Sequence, residues 1–357
     1  MGLFYIYMTL PCPFIIICIC YIFLYLGHPI GILNKERMGE IYTMQMQKIG
    51  IVGCGNVGAT IAYTAAQSKL FSEIVLIDRD EEKARSEVMD LSHCLSFLAP
   101  MSIYQGTYEK LSGASIVVIA AGANQEKGED RLALAQKNVK IIEDIVPRIA
   151  AVNQECILLL VTNPVDVLSY EAYRISGFDS CRVIGSGTVL DSGRLKYLVG
   201  ERLKVDHRNV HTFIIGEHGD SELAVWSSAN VSGIDLDDYL TMCGGGLGDL
   251  YGTYESVVSS AYEIIQGKGS TYYAIAQAAL RIIRSIVRDE NTILPVSTLI
   301  SGHYGIDDVY LSIPCVVGKG GVKHVLDIPL NEDESTRLHK SAERLRQVLD
   351  GLHYATV

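Results

Sequence analysis

The chain has 357 residues, enough for one large domain or two ordinary ones around a sizeable core. With 48% hydrophobic and 20% charged residues it is too apolar to be a disordered chain. A net charge of −11, from 41 acidic and 30 basic residues, speaks against a nucleic-acid partner, which needs a basic face, but not against a small anion met by a few arginines.

The chain opens on a segment unlike the rest. Met1 to Leu33 holds no Asp, Glu, Lys or Arg, and Phe14 to Leu26 is uninterrupted apolar sequence. By length and polarity this charge-free segment could span a bilayer, with Lys35 and Arg37 as cytoplasmic-side anchors. It lacks the basic start of a secretory signal, and no small-residue cleavage site follows. Met38, Met44 and Met46 all precede Lys48, where a soluble pattern begins. Residues 1–47 are therefore read as a spurious or dispensable extension, the alternative being a real membrane anchor. Nine cysteines form no CxxC pair and no Cys/His group with zinc spacing, so no metal is expected. The six beyond the extension lie mostly in apolar runs and read as small buried hydrophobes of a reducing compartment, which places the body in the cytoplasm.

From Lys48 short apolar runs alternate with helical patterns. Lys48–Gly53, Glu73–Asp78, Ser115–Ala121 and Cys156–Thr162 read as strands; Val57–Lys69, Asp80–Leu95 and Arg131–Val152 read as helices. Continuous apolar strands between polar helices predict a Rossmann-type, doubly wound parallel sheet in an α/β domain over residues 48–185. Pro147 predicts a kink or an early stop in the third helix. Beyond residue 185 the texture changes to an α+β substrate and catalytic domain over 186–352, followed by a tail at 353–357. There Val210–Gly216 and Val309–Val317 read as strands, and Tyr254–Arg288 as helix interrupted near Gly267–Gly269. Gly244 to Gly248 reads as a plain loop. Asn331–Leu352 reads as an amphipathic closing helix capped by Asn331 or Asp333, with Leu338, Leu345 and Leu349 on one face.

Gly53-Cys54-Gly55-Asn56-Val57-Gly58 is a G-x-G-x-x-G loop, a weak signal alone. Here it follows a strand and opens a helix, and Asp78 lies 20 residues beyond Gly58 at the end of the next strand. The glycines let the backbone approach a pyrophosphate at the positive helix end. Asp78 suits both ribose hydroxyls and repels a 2′-phosphate, which favours NAD over NADP, although Arg79 beside it points the other way. The competing reading is a glycine turn for another nucleotide-like ligand, such as the methyl donor of a methyltransferase.

Five further blocks bear on that choice: Gly122 to Arg131 after the third strand, Val161-Thr162-Asn163-Pro164-Val165-Asp166, Gly187 to Arg194, Gly216-Glu217-His218-Gly219-Asp220-Ser221, and Gly269 to Tyr273. In this order, from Lys48 to about Leu349, the chain resembles the L-lactate/malate dehydrogenase family. The resemblance implies NAD as cofactor, held by Gly53, Gly55, Val57, Gly58, Asp78, Lys83, Tyr108, Gly122, Ala123, Val161 and Asn163. It implies a hydride passed between the nicotinamide and a 2-oxo acid. His218 is the expected acid/base, because imidazole exchanges a proton near neutrality. Asp191 is expected to fix its tautomer and stabilise the cation. Arg194, one helical turn after Asp191, suits a two-pronged clamp on the substrate carboxylate. Arg131 resembles the arginine that polarises the keto oxygen, while Asn163 and Thr271 resemble pocket-lining residues.

Substrate choice rests on Gln125. Malate enzymes of the family resemble this pattern but carry arginine there, to meet a second carboxylate; an amide leaves that charge poorly paired. Pyruvate and L-lactate are thus the expected pair, with malate or a longer 2-hydroxyacid as alternatives and a non-catalytic NAD-binding protein as a remote one. Keeping acid, orienter and polariser together speaks against the last. The loop departs from the family in lacking a proline before Gly128, and Gly193 stands where alanine is usual. Lys196 and His211 resemble positions that bind fructose bisphosphate in activated bacterial members, with lysine in place of the usual arginine. The resemblance also implies a homotetramer.

Overall fold

The computed structural model describes residues 47–123, 131–246 and 248–354. The extension before Gln47, Gln125 with its loop, and the last three residues of the tail lie outside the described residues. Strands and helices alternate through the first half: β1 (Lys48–Val52), α1 (Asn56–Gln67), β2 (Glu73–Ile77), α2 (Glu81–His93), β3 (Ser102–Gln105), β4 (Ile116–Ile119), α3 (Arg131–Val152), β5 (Ile157–Leu160), α4 (Val165–Ser176) and β6 (Val183–Gly185). These strands pair in parallel in the order β3-β2-β1-β4-β5-β6. The order reverses between β1 and β4, and ligands of such sheets bind in the crevice beyond the carboxyl ends of the strands at that reversal.

Both faces of the sheet are covered, which is why the strands read as unbroken apolar runs. Val118 and Leu159 share one core cluster with Ile61 and Ala65 of α1. Their neighbours Val117 and Leu158 point the other way, into a cluster with Ile142 and Ile149 of α3. Each such aliphatic side chain contributes roughly 1.5–3 kcal/mol by leaving water.

The second half contributes α5 (Val189–Leu203), β7 (Val210–Ile215), β8 (Leu223–Val231), β9 (Ile234–Asp235), α6 (Leu236–Met242), α7 (Gly248–Lys268), α8 (Tyr273–Arg288), β10 (Thr292–Ser301), β11 (Asp307–Gly318), β12 (Gly321–Val325) and α9 (Glu332–Tyr354). β10 pairs antiparallel with β6, and β11 and β12 follow, so the sheet grows to nine strands across residue 185. β7, β8 and β9 form a separate antiparallel sheet. The fold is an α/β Rossmann-type sheet followed by an α+β part.

Several local expectations need correction. Pro147 does not stop α3, which runs on to Val152. Ile142, Ile145, Val146 and Ile149 lie on one face and are buried, so packing offsets the hydrogen bond that proline removes. Gly248 is not loop but the first residue of α7. At α9 the cap is Asn331, not Asp333: its side chain accepts the Glu334 amide at 2.9 Å, and Glu334 accepts the Asn331 amide at 3.0 Å, a reciprocal capping box. Cys54, Cys156 and Cys315 are buried, but Cys94 and Cys181 are only half-buried and Cys243 is exposed at the end of α6. Among the described residues no helix is long and apolar enough to cross a membrane.

Candidate active site

The glycine loop joins β1 to α1. Gly53 has φ +100°, and a Cβ there would meet the Ala121 backbone at 2.4 Å. A Cβ at Gly58 would meet the Gly53 carbonyl at 1.8 Å, so α1 sits this close to the strand end only with glycine. Gly55 differs: a Cβ there would meet nothing within 4 Å. It is the N-cap of α1 and supplies no side-chain cap, so open space lies before a helix end rich in unpaired N–H groups. Asp78 accepts the Cys54 amide at 2.6 Å and the Asp80 amide at 2.9 Å, which fixes the acidic side chain at this loop. Val57 is half-buried at the start of α1, and Cys54 below the loop stays a thiol, pushed up to about 12 by burial and the Asp78 charge.

The remaining cofactor-side residues lie beyond neighbouring strands. Lys83 is exposed in the first turn of α2, its amide capped by Asp80 at 3.0 Å. Half-buried Tyr108 has the Arg148 guanidinium 5.4 Å from its ring centre. Gly122 and Ala123 follow β4, and Val161 and Asn163 follow β5. A residue that sequence reading missed ties these two ends together. Asn138 of α3, 1% exposed, accepts the Ala123 amide at 2.7 Å and donates to the Asn163 carbonyl at 2.7 Å. Its signal was a polar residue on the apolar face with Leu134, Ala135 and Ile142.

The chemistry gathers where α5 meets the end of β7. His218 Nδ1 lies 2.6 Å from Asp191 Oδ2, and Arg194 Nη1 lies 2.9 Å from Asp191 Oδ1. Asp191 is 2% exposed and sits in the first turn of α5, where the helix end favours an anion. Burial pushes its carboxyl up, but the charge and hydrogen bond of His218, with Arg194, hold it below the ordinary value of 3.8. Burial pulls His218 down, yet Asp191, with smaller help from Glu222 and Asp166, raises it to about 9. The loop carrying His218 is pinned from behind. Gly216 and Ser312 of β11 exchange two backbone hydrogen bonds at 2.8 and 3.1 Å, Glu217 donates its amide to Ser341 at 2.7 Å, and His218 donates its amide to Asp166 at 2.8 Å.

Asp166 and Glu222 are the other residues that sequence reading missed here. Asp166 was visible within the Val161–Asp166 block, but only Asn163 was given a role there. It is 2% exposed, and burial raises it to about 6. Glu222 stands one residue beyond the His218 block, and nothing in its sequence neighbourhood marks it as buried. Of the other expected site residues, Thr271 is half-buried in the turn before α8, beside Ser270, whose hydroxyl accepts from Asn56 of the glycine loop at 3.0 Å. Arg131 begins α3. Lys196 of α5 has its ammonium 5.5 Å from the Phe213 ring centre, two residues along β7 from exposed His211.

A glycine loop at the sheet reversal and an imidazole–carboxylate pair tied to the neighbouring strand end define a dinucleotide-binding α/β enzyme of the dehydrogenase kind. Residues 47–185 match the NAD-binding domain of lactate/malate dehydrogenases, and residues 188–353 match the alpha/beta C-terminal domain of the same enzymes. The chain is 50% identical over 309 residues to the L-lactate dehydrogenase of Acetivibrio thermocellus, covering 86% of this chain and 98% of that protein. It is also 50% identical over 305 residues to an L-lactate dehydrogenase of Clostridium botulinum, covering 85% and 96%. Among solved structures, a lactate dehydrogenase from a Medee basin deep-sea metagenome library superposes with TM-score 0.84 at 44% identity, covering 87% of this chain and all of that one. The minor L-lactate dehydrogenase of Enterococcus mundtii, in a ligand-bound form, gives 0.83 at 37% identity, covering 85% and 98%. The chain belongs to the lactate/malate dehydrogenase family.

Proposed function

We propose that the protein is an NAD-dependent L-lactate dehydrogenase that interconverts pyruvate and L-lactate. The observation that carries this reading is the 2.6 Å contact between His218 Nδ1 and Asp191 Oδ2 in a chain half identical to L-lactate dehydrogenases. With Nδ1 committed to Asp191, Nε2 is the atom that exchanges a proton with substrate. In reduction, the His218 imidazolium gives its Nε2 proton to the keto oxygen while the keto carbon gains a hydride, and the alcohol results. In oxidation, neutral His218 takes the hydroxyl proton as the hydride departs. Bound nicotinamide dinucleotide supplies or accepts that hydride. Asp191 stays ionised throughout, orients the ring and stabilises its cation.

Arg194 spends one nitrogen on Asp191, and its remaining donors suit the substrate carboxylate. Arg131 polarises the keto oxygen, Asn163 and Thr271 line the pocket, and Gln125 meets the substrate methyl. The dinucleotide is held by the glycine loop with Val57, by Asp78, Lys83 and Tyr108, and by Gly122, Ala123, Val161 and Asn163. The open space at Gly55 before an uncapped helix end is the structural feature that fits its pyrophosphate.

The same reading includes a homotetramer and an activating fructose bisphosphate at Lys196 and His211. Lys196 keeps the charge but lacks the planar fork of the usual arginine, which weakens it as a phosphate partner. The six free cysteines among the described residues fit a cytoplasmic, reducing setting. The test is NADH oxidation, followed by absorbance, with pyruvate, oxaloacetate and longer 2-oxo acids. Pyruvate is expected to give the highest kcat/KM; oxaloacetate in first place would replace lactate by malate.

A further inference from the structure

Glu222 enters β8 just after the His218 loop, and it is 6% exposed. One of its carboxyl oxygens, a carboxylate oxygen of Asp191 and a ring nitrogen of His218 all lie within 4.8 Å of one another. The proton exchange derived above leaves this carboxyl without a part. Its surroundings come from four directions. α5 presents Asp191 and Arg194, and the loop after β7 presents His218 and the Gly219 amide. From α7, the Tyr254 hydroxyl donates to the Glu222 backbone carbonyl at 2.6 Å, and Arg337 of α9 lies 5.8 Å from that tyrosine's ring centre. Asp166 faces the backbone of His218, with Glu217 acting on it.

Arg194 is already ion-paired to Asp191. Two carboxylates buried this close around one imidazole and one guanidinium repel each other at low dielectric, so the one with fewer cationic contacts keeps its proton. Asp191 has both cations in direct contact; Glu222 does not.

We propose that Glu222 is a positioning residue whose buried carboxyl, facing the Asp191–His218 pair, sets how tightly the imidazole holds its proton. The inference rests on the dehydrogenase reading of this site. Burial, reinforced by Asp191 and opposed by His218, Arg194 and the Gly219 amide, pushes Glu222 up to about 8. Both Glu222 and His218 are raised to the alkaline side, and a proton lost from Glu222 places a negative charge facing the imidazolium. The new negative charge then holds the imidazolium proton to higher pH. Glu222 prolongs reduction as the medium turns alkaline and delays the neutral imidazole that oxidation requires.

Two readouts on the full-length protein separate this proposal from the function it rests on. Diethyl pyrocarbonate acylates neutral imidazole, so the pH dependence of His218 acylation, read by peptide mass, gives its proton affinity without any substrate. The pH dependence of kcat/KM for pyruvate reduction reports the same proton during turnover. Glu222→Gln and Glu222→Met, both neutral, are expected to lower the His218 midpoint by about one pH unit, while Glu222→Asp keeps most of the wild-type value. Retained NADH binding marks the variants that fold. Neutral variants whose acylation midpoint coincides with wild type overturn the proposal. A shifted midpoint in a protein that does not reduce pyruvate upholds the coupling and removes the dehydrogenase reading alone.

Discussion

Asp191→Asn removes one charge and keeps the shape. The amide still reaches His218, but the charge that raises the imidazole from 6.5 to about 9 is gone. That rise corresponds to roughly 3 kcal/mol of preference for the imidazolium, at about 1.36 kcal/mol per pH unit. Without Asp191 only Glu222 and Asp166 oppose burial, and the ring falls back toward its ordinary value. At about pH 7.5 the protonated fraction drops from roughly 97% toward about 9%, so protonation alone costs up to about tenfold in pyruvate reduction. Lost orientation and lost support for the cation add to that. Stability follows with the same sign. The stabilisation from the pair is complete between the ordinary Asp and His values, 3.8 and 6.5, and fades as pH rises through about 9. Denaturant unfolding of wild type and variant should therefore differ most at weakly acid pH and converge above about pH 9. The direct assay is kcat/KM for pyruvate across the pH range. A variant within threefold of wild type at neutral pH, or one whose midpoint stays near that of wild type, would refute the reasoning.

If Gln125 meets the substrate side chain as proposed, Gln125→Arg supplies a partner for a second carboxylate and leaves a cation unpaired when pyruvate binds. Mispairing a buried charge costs about 3–5 kcal/mol, so the kcat/KM preference for pyruvate over oxaloacetate should shift by at least roughly a hundredfold. A ratio within a few-fold of wild type would place Gln125 away from the substrate side chain. Lys196→Ala combined with His211→Ala should abolish any activation by fructose bisphosphate while leaving unactivated turnover in place. Full activation in the double variant would remove both residues from an effector site.

The parts of the fold that were legible in the sequence are those where one physical requirement dominates. β4 and β5 are buried on both faces and show as apolar runs. α3 has apolar residues at helical spacing over its full length, strong enough to hide the effect of Pro147. β10 was missed because its buried centre includes Pro295, Ser297 and Thr298, which obscure the strand signal. Its backbone pairing to β11 comes from the tertiary fold, with Pro295 opposite Pro314. β8 was missed for a related reason. Ser227 and Ser228 sit in its middle, and Glu334 of the closing helix accepts the Trp226 and Ser227 amides at 2.9 and 3.0 Å.

The site divides in the same way. The glycine loop and Asp78 are local in sequence, and their spacing alone suggested a nucleotide. Asp191 and His218 stand 27 residues apart, and no spacing rule joins a helix start to a strand end. Only resemblance paired them. Asn138 and Glu222 carry no motif, and Asp166 stands in one that gave it no role. They matter because the fold buries polar groups against the backbone or against one another, and burial of a single carboxyl is not written in its neighbours.

The central claim is that one proton on His218 serves both directions of a 2-oxo acid/2-hydroxy acid reaction. Its most direct test is the pH dependence of pyruvate reduction and L-lactate oxidation on the same preparation, with chemistry shown to limit both rates. Reduction should fall as pH rises through the His218 midpoint, and oxidation should fall as pH drops through it. Identical profiles in the two directions would contradict the account.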